Sequence, residues 1–145
     1  MDLRSTPATD YVCDITRLHL PAECVREIVT FHMVEHLRPS TLARLFAVWC
    51  RALQPGGRLV IECPDFDRVV REYLHGNVAR LLNVFGRERF PGDLHRWGWN
   101  YERMQKCLLE AGFGRVFRAP ATDYHVSEEP CMRVEAYKEQ TCGQR

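Results

Sequence analysis

The chain has 145 residues, a length that suits one domain with its own core. Hydrophobic residues make up 46% and charged residues 27%, the balance of an ordinary globular protein, and a net charge of +1 gives no bulk electrostatic case for nucleic acid or an anionic membrane. No apolar run approaches a membrane span, and the opening residues, MDLRSTPATDYV, lack the apolar core of a secretory signal.

Residues 1–9 read as irregular. Tyr11, Val12, Cys13 and Ile15 form a short apolar stretch interrupted by Asp14, which predicts a strand, and a loop with Pro21 follows. Residues 27–31 predict a second strand, with Ile28 and Thr30 on one side and Val29 and Phe31 on the other. Next comes a polar strand end with His32, Glu35 and His36. A helix is expected from about Pro39, Ser40 and Thr41, where proline suits the first turn and a hydroxyl can cap it. Its apolar face is Leu42, Leu45, Phe46, Trp49 and Leu53, three and four residues apart. Gln54-Pro55-Gly56-Gly57 predicts a tight turn into a strand over 58–63. Strand, helix and strand at this spacing make a βαβ unit with parallel strands and a right-handed crossover. Ligands of such sheets gather beyond the carboxyl ends of the strands, here at His32, Glu35 and His36 and at Pro64 and Asp65.

Asp65 is placed to cap a further helix, with Val69, Val70, Tyr73 and Leu74 as its stripe and Gly76 at its end. Asn77 recaps, and helical spacing resumes through Val78, Leu81, Leu82 and Phe85 until Gly86. Residues 87–100 predict an ordered loop rich in arginine and aromatics. Tyr101, Met104, Cys107, Leu108 and Ala111 mark the next helix, with Gly112 as its cap and Phe113 folding back. Strands are expected over 116–119 and 132–138. A hairpin through the 120–130 link would make one of them antiparallel. The tally is an α/β three-layer sandwich, mostly parallel with an antiparallel strand near the C-terminus, in a single domain spanning 1–145.

Seven cysteines (Cys13, Cys24, Cys50, Cys63, Cys107, Cys131 and Cys142) are scattered, odd in number and never spaced C-x-x-C. That pattern points to reduced thiols in a cytoplasm, several of them in the core, rather than to a disulfide framework or a zinc ribbon. His32-Met33-Val34-Glu35-His36 spells H-x-x-E-H, the pattern of inverzincin zinc proteases, which needs both histidines on one helical face. The segment follows a strand directly, precedes Arg38-Pro39 and has no identifiable third ligand, so no metal is assigned. The simpler account has Glu35 and His36 hydrogen-bonding around the strand end. Arg87, Arg89, His95, Arg96, Trp97 and Trp99 form one basic-aromatic cluster. It reads as a lid over an anionic acceptor, as a stack for a base or, more simply, as tryptophans sealing the helix layer while arginines face water. Asp65 likewise reads first as a helix cap and second as part of an acceptor pocket. Gly56 and Gly57 are turn glycines, not a phosphate loop. His19, His75 and His125 have no identifiable partners in the sequence.

Taken in order, VCDITRLHLP, EIVTFHMVEHL and LARLFAVWCRALQPGGRLVIECPD resemble the second half of a class I S-adenosylmethionine (SAM)-dependent methyltransferase, most closely the methyltransferase-11 type. His95, Trp97 and Trp99 before a helix ending LLEAGF, then two closing strands, extend the resemblance from about Asp10 onward. It implies a Rossmann-like sheet, SAM as cofactor and an acceptor that the residues do not identify. By position, Asp2 matches the acid that binds the ribose hydroxyls, and Asp14 with Ile15 matches the place beside the adenine. His32, Met33, Glu35 and His36 match the methionine and acceptor side. Asp65, His95 and Trp97 are the candidate acceptor contacts. The family's first strand and its E/D-x-G-x-G loop have no counterpart downstream of Met1. The expectation is therefore a truncated domain, or a sheet rebuilt by the 11–13 stretch or by a second chain at the exposed edge, which favours a homodimer. If the chain is catalytic, His32 and His36 are the candidate bases toward a small-molecule or macromolecular acceptor, with Glu35 orienting one of them. The competing expectation is a non-catalytic methyltransferase-like interaction module.

Overall fold

The computed structural model describes residues 1–140, so Cys142 lies outside the described residues. In chain order the elements are β1 (Val25–Phe31), α1 (Pro39–Ala52), β2 (Leu53–Pro64), α2 (Phe66–Leu74), α3 (Leu81–Phe85), α4 (Tyr101–Glu110), β3 (Arg115–Ala119) and β4 (Cys131–Tyr137). The four strands form one sheet in the order β1-β2-β4-β3. β1 and β2 are parallel, whereas β4 runs antiparallel to both β2 and β3. One reversed strand near the C-terminus in an otherwise co-directional α/β sheet is what the hydrophobic pattern predicts.

Periodicity explains the elements. Leu42, Leu45, Phe46 and Trp49 of α1 are buried, as their spacing requires. They pack with Leu59, Ile61 and Cys63 of β2, Met132, Val134 and Ala136 of β4, and Met104 and Leu108 of α4 in one apolar cluster. Each fully buried large side chain contributes about 1.5–3 kcal/mol by leaving water. Pro39 sits at the start of α1, but no hydroxyl caps it. Arg38 is the extended residue before the helix, and its carbonyl accepts from the amides of Thr41 and Leu42. The cap at α2 forms as expected, with the Asp65 carboxylate accepting from the Arg68 amide.

Two local expectations are corrected. The predicted turn at Gln54–Gly57 lies inside β2: Leu53 already pairs with Val25, and the register then shifts before Glu27 meets Arg58. A Cβ on Gly57 would lie 2.8 Å from the Arg26 and Gln54 carbonyl oxygens, so only glycine fits this bulge. The predicted strand at 11–13 is a single bridge from Val12 to Asp2. It does not join the sheet, and β1 stands at the edge among the described residues.

The sheet face opposite the apolar cluster carries registered rows: Glu27, Arg58, Tyr137 and Arg115, then Val29, Val60, Glu135 and Phe117, then Phe31, Glu62, Arg133 and Ala119. Ion pairs cross it, from Arg58 to Glu27 and Glu135 and from Arg133 to Glu62 and Glu135. Val29 is 45% exposed and Phe31 46% exposed there. No helix among the described residues is long and apolar enough to cross a membrane.

Candidate functional site

Where β1 stops, the chain turns abruptly. The His32 amide donates to the Glu62 carbonyl at 2.8 Å, extending the ladder by one residue, and His32 itself has φ of +46°. A left-handed conformation costs a non-glycine residue about 1–2 kcal/mol. Met33 then leads into a single 3₁₀ turn, Val34–His36. The H-x-x-E-H segment is therefore not one helix, and its two histidines have different neighbours.

The His32 ring is 14% exposed and lies at the centre of a polar cluster. Its Nδ1 is 3.4 Å from Glu35 Oε1 and 3.4 Å from Glu129 Oε1. Its Nε2 is 3.7 Å from Asp123 Oδ2 and 3.7 Å from Cys131 Sγ. The His125 ring packs on it with centroids 3.9 Å apart, and His125 Nδ1 donates to Asp123 Oδ2. Burial alone would lower the His32 pKa; the Cys131 thiol and the Glu35 carboxylate outweigh it and push the value up to about 10. Cys131 begins β4; Asp123, His125 and Glu129 come from the 120–130 link, which crosses the strand ends. Glu62 anchors that link, its fully buried carboxylate accepting from the Thr122 and Asp123 amides and from Arg133 Nη1.

Glu35 is 3% exposed, and neither of its carboxylate oxygens has a hydrogen-bond partner among the described residues. Its carbonyl accepts from the Arg96 and Trp97 amides at 2.7 and 3.2 Å, which binds the 87–100 loop to the strand end. His36 Nδ1 donates to the Leu94 carbonyl at 3.1 Å, and His95 Nδ1 to the Asn83 carbonyl at 2.7 Å. The two rings meet edge to face at 4.9 Å. Trp99 is buried, its indole donating to the Val34 carbonyl, while Trp97 is 44% exposed.

Other candidate residues lie apart. The Asp65 carboxylate, besides capping α2, is 3.3 Å from Arg118. It lines a cleft of about 230 Å³ with Arg68, Arg118, Ala119, Cys131 and Arg133. The Asp2 carboxylate accepts from the Arg4 amide. The Asp14 carboxylate caps a single turn, Ile15–Arg17, through the Thr16 amide and hydroxyl, which together lower its pKa. Ile15 and Met33 are half-buried against the apolar cluster. A larger hollow of about 430 Å³ lies between that turn and α1, lined by Thr16, Leu18, Thr41, Arg44, Leu45 and Val48.

The strand end thus gathers His32 and Glu35, with His36 and His95 beside them. It also gathers Asp123, His125, Glu129 and Cys131, which sequence reasoning missed. Their signal was the spacing of Asp123, His125, Glu129 and Cys131 within TDYHVSEEPC, in a link that a hairpin must carry across the sheet.

No protein-family model matches the sequence, and no curated protein matches it. The fold does have close counterparts among solved structures. The human N-acetylserotonin methyltransferase in complex with SAM superposes with a TM-score of 0.63 at 13% identity, over 90% of this chain and 33% of that one. This is the SAM-dependent methyltransferase fold. The SAM-dependent methyltransferase SibL, in its apo form, matches with a TM-score of 0.62 at 20% identity, over 90% of this chain and 35% of that one. A SAM-dependent methyltransferase from Archaeoglobus fulgidus gives 0.61 at 16% identity, over 88% of this chain and 66% of that one. The chain therefore spans about a third of the two larger methyltransferases and two thirds of the archaeal one.

Proposed function

We propose that the chain serves methyl transfer from SAM to a small-molecule acceptor, as the acceptor-side part of a methyltransferase fold. One observation carries this reading: the superposition on methyltransferase folds covers 88–90% of the chain, and the polar segment at residues 32–36 stands beyond the carboxyl end of β1. Open α/β sheets hold their ligands there. On this reading His32 and His36 are the candidate bases for a hydroxyl or amine proton, and Glu35 orients an imidazole. Asp2, Asp14, Ile15 and Met33 face the cofactor with His32, and Asp65, His95 and Trp97 contact the acceptor.

The described residues do not by themselves fit SAM. A dinucleotide-type site needs glycines where backbone approaches the ligand, and the first glycine in the chain is Gly56, in the β2 bulge. The Asp2 and Asp14 carboxylates are engaged with their own turns. The 120–130 link covers His32. No transfer step runs through these side chains as they are arranged, and SAM binding requires either that the link move or that further residues meet the open edge of β1. A second copy of the chain is the partner we propose there, since an unpaired strand edge templates pairing.

A second reading has its own support. A strand end closed by Glu62, Thr122 and Asp123, with Glu35 buried beneath, suits a methyltransferase-like module that has no turnover and acts by association.

Calorimetric titration of the whole chain with S-adenosylhomocysteine separates the two. Saturable binding at micromolar ligand supports methyl transfer. Absence of heat at millimolar ligand removes that reading and leaves association.

A further inference from the structure

We propose that the cleft beyond the ends of β2 and β3 is an anion site, in which Arg68 and Arg118 hold a carboxylate or phosphate group, that of the acceptor. The inference deepens the acceptor reading and rests on it for one point, that Asp65 belongs to the acceptor pocket. It uses neither histidine of the 32–36 segment.

Position is the first argument. β4 runs antiparallel to β2, so Cys131 at its start pairs with Pro64 at the end of β2, and Ala119 at the end of β3 pairs with Arg133. Asp65 follows β2 directly. The cleft lies at that place, beyond the carboxyl end of β2, where open α/β sheets take their ligands. Its volume of about 230 Å³ is below the roughly 300–1,000 Å³ that encloses a drug-sized molecule, so it takes a small anion or the anionic end of a larger one. Ala119, Pro120, Ala121 and Met132 give it an apolar wall.

Charge is the second argument. Four charged side chains line the cleft: Asp65, Arg68, Arg118 and Arg133. Arg133 is matched within the fold, with Nη1 2.9 Å from Glu62 and Nη2 2.8 Å from Glu135. The buried Asp65 carboxylate meets Arg118 Nη2 at 3.3 Å. That contact occupies one nitrogen of the guanidinium and leaves the others free. The Arg118 side chain stays 52% exposed, its guanidinium 5.2 Å from the centre of the Tyr101 ring. Arg68, exposed in the first turn of α2, makes no ion pair among the described residues. One carboxylate thus faces two guanidiniums, and the cleft carries an unmatched positive charge. Guanidinium forks fit the paired oxygens of a carboxylate or phosphate. A ligand that is anionic at one end and apolar beside it satisfies both halves of the lining. The rival arrangement leaves both guanidiniums in water, with Asp65 as their only anion.

The test titrates the whole chain with benzoate, phenyl phosphate and inorganic phosphate, without cofactor, by calorimetry and by amide NMR shifts. We expect saturable binding of benzoate or phenyl phosphate, tighter than inorganic phosphate, with the Ala119 and Ala121 amides shifting and the affinity falling as salt is raised. The two aromatic probes distinguish a carboxylate from a phosphate ligand. Arg68→Gln removes an exposed side chain without an ion pair, so it should weaken binding about tenfold while Tm stays within a few degrees of wild type. Arg118→Gln should weaken it by a similar factor. Absence of saturation by all three probes overturns the site. Inorganic phosphate bound as tightly as the aromatic probes overturns it, because the apolar wall would then be idle. Binding undiminished in an Arg68→Gln, Arg118→Gln double variant, or shifts confined to other residues, overturns it equally. A parallel titration with S-adenosylhomocysteine keeps the two readings apart. Anion binding without it retains the cleft as an anion site and removes methyl transfer, and the reverse result removes the anion site and retains methyl transfer.

Discussion

Glu62 holds Thr122, sixty residues away in sequence, by its amide and its hydroxyl at once: the amide is 3.0 Å from both carboxylate oxygens, and Oγ1 is 3.0 Å from Oε1. The Asp123 amide and Arg133 Nη1 add bonds of 2.9 Å each. Burial alone would raise the Glu62 pKa, but these donors outweigh it and hold it below the usual carboxylate value. One buried acid thus fastens the 120–130 link over the strand ends and sets where Asp123 and His125 stand.

Glu62→Ala should therefore destabilise the chain by about 3–5 kcal/mol, because it leaves the Thr122 and Asp123 amides without their acceptor and Arg133 with Glu135 as its one remaining carboxylate. Thr122→Ala removes only the hydroxyl and should cost about 1 kcal/mol. Urea unfolding of both variants checks the order. If Glu62→Ala falls within 1 kcal/mol of wild type, the link is not held as described.

The 87–100 loop gives a pH prediction. Asp93 is buried and accepts from Arg89 three times: from Nε at 2.9 Å, from Nη2 at 3.1 Å and from the amide at 2.9 Å. The Arg89 guanidinium, against the opposing effect of burial, holds the Asp93 pKa at about 2 rather than 3.8. A depressed folded-state pKa contributes stability that is fully present above the unfolded value and is lost as pH falls through the folded one. Stability from this pair should decline between about pH 4 and pH 2. Asp93→Asn should flatten that part of the acid limb while lowering stability at pH 7, measured by thermal unfolding across pH. An acid limb of unchanged steepness in Asp93→Asn would show that the pair contributes nothing.

Much of the fold was legible because burial has a period. The α1 stripe and the alternation Ile28, Thr30 against Val29, Phe31 needed only one neighbour each to be right. The Asp65 cap and the reversal at Gly112 were equally local: Gly112 has φ of +101°, and the Phe113 amide folds back to the Leu108 carbonyl. Legibility failed where distant segments compete. The apolar run Tyr11, Val12 and Cys13 looks like a strand, yet it finds only Asp2 as partner. The turn glycines became a bulge because Leu53 could already pair with Val25. The half of the site from the 120–130 link was illegible for the same reason. Nothing near Asp123 or His125 announces that Glu62, two strands earlier in the fold, will draw them over His32.

Two glycines separate backbone crowding from backbone strain. Gly86 ends α3 with φ of +85°, and a Cβ there would lie 2.2 Å from the Asp93 carbonyl oxygen and 2.9 Å from the His95 amide. Gly92 has φ of +98° and nothing within 4 Å of such a Cβ. Gly92→Ala should cost about 1–2 kcal/mol, the strain of a left-handed residue. Gly86→Ala meets backbone as well and should cost more, with the bridge to Leu94 broken. Chemical denaturation of the two variants side by side decides it. Equal losses would mean that the close approach at Gly86 relaxes freely.

Phe31 tests the proposed pairing of two copies. It ends the edge strand β1, beside Val29 on the open sheet face, and nearly half of its surface meets water. An edge strand with an apolar side recruits another strand unless a charge blocks it, and lysine is the usual block. Phe31 lies on the face opposite the apolar cluster, with Glu62 as its register partner, so Phe31→Lys adds a cation where the neighbouring strand carries an acid. The substitution should leave Tm within a few degrees of wild type, as exposed changes away from caps and cores shift stability by only about 0.5 kcal/mol. Light scattering across a concentration series should give the mass of two chains for the wild type and of one chain for Phe31→Lys. A wild type that stays at the mass of one chain at high concentration refutes edge pairing, and a variant that keeps the mass of two places the contact on another surface.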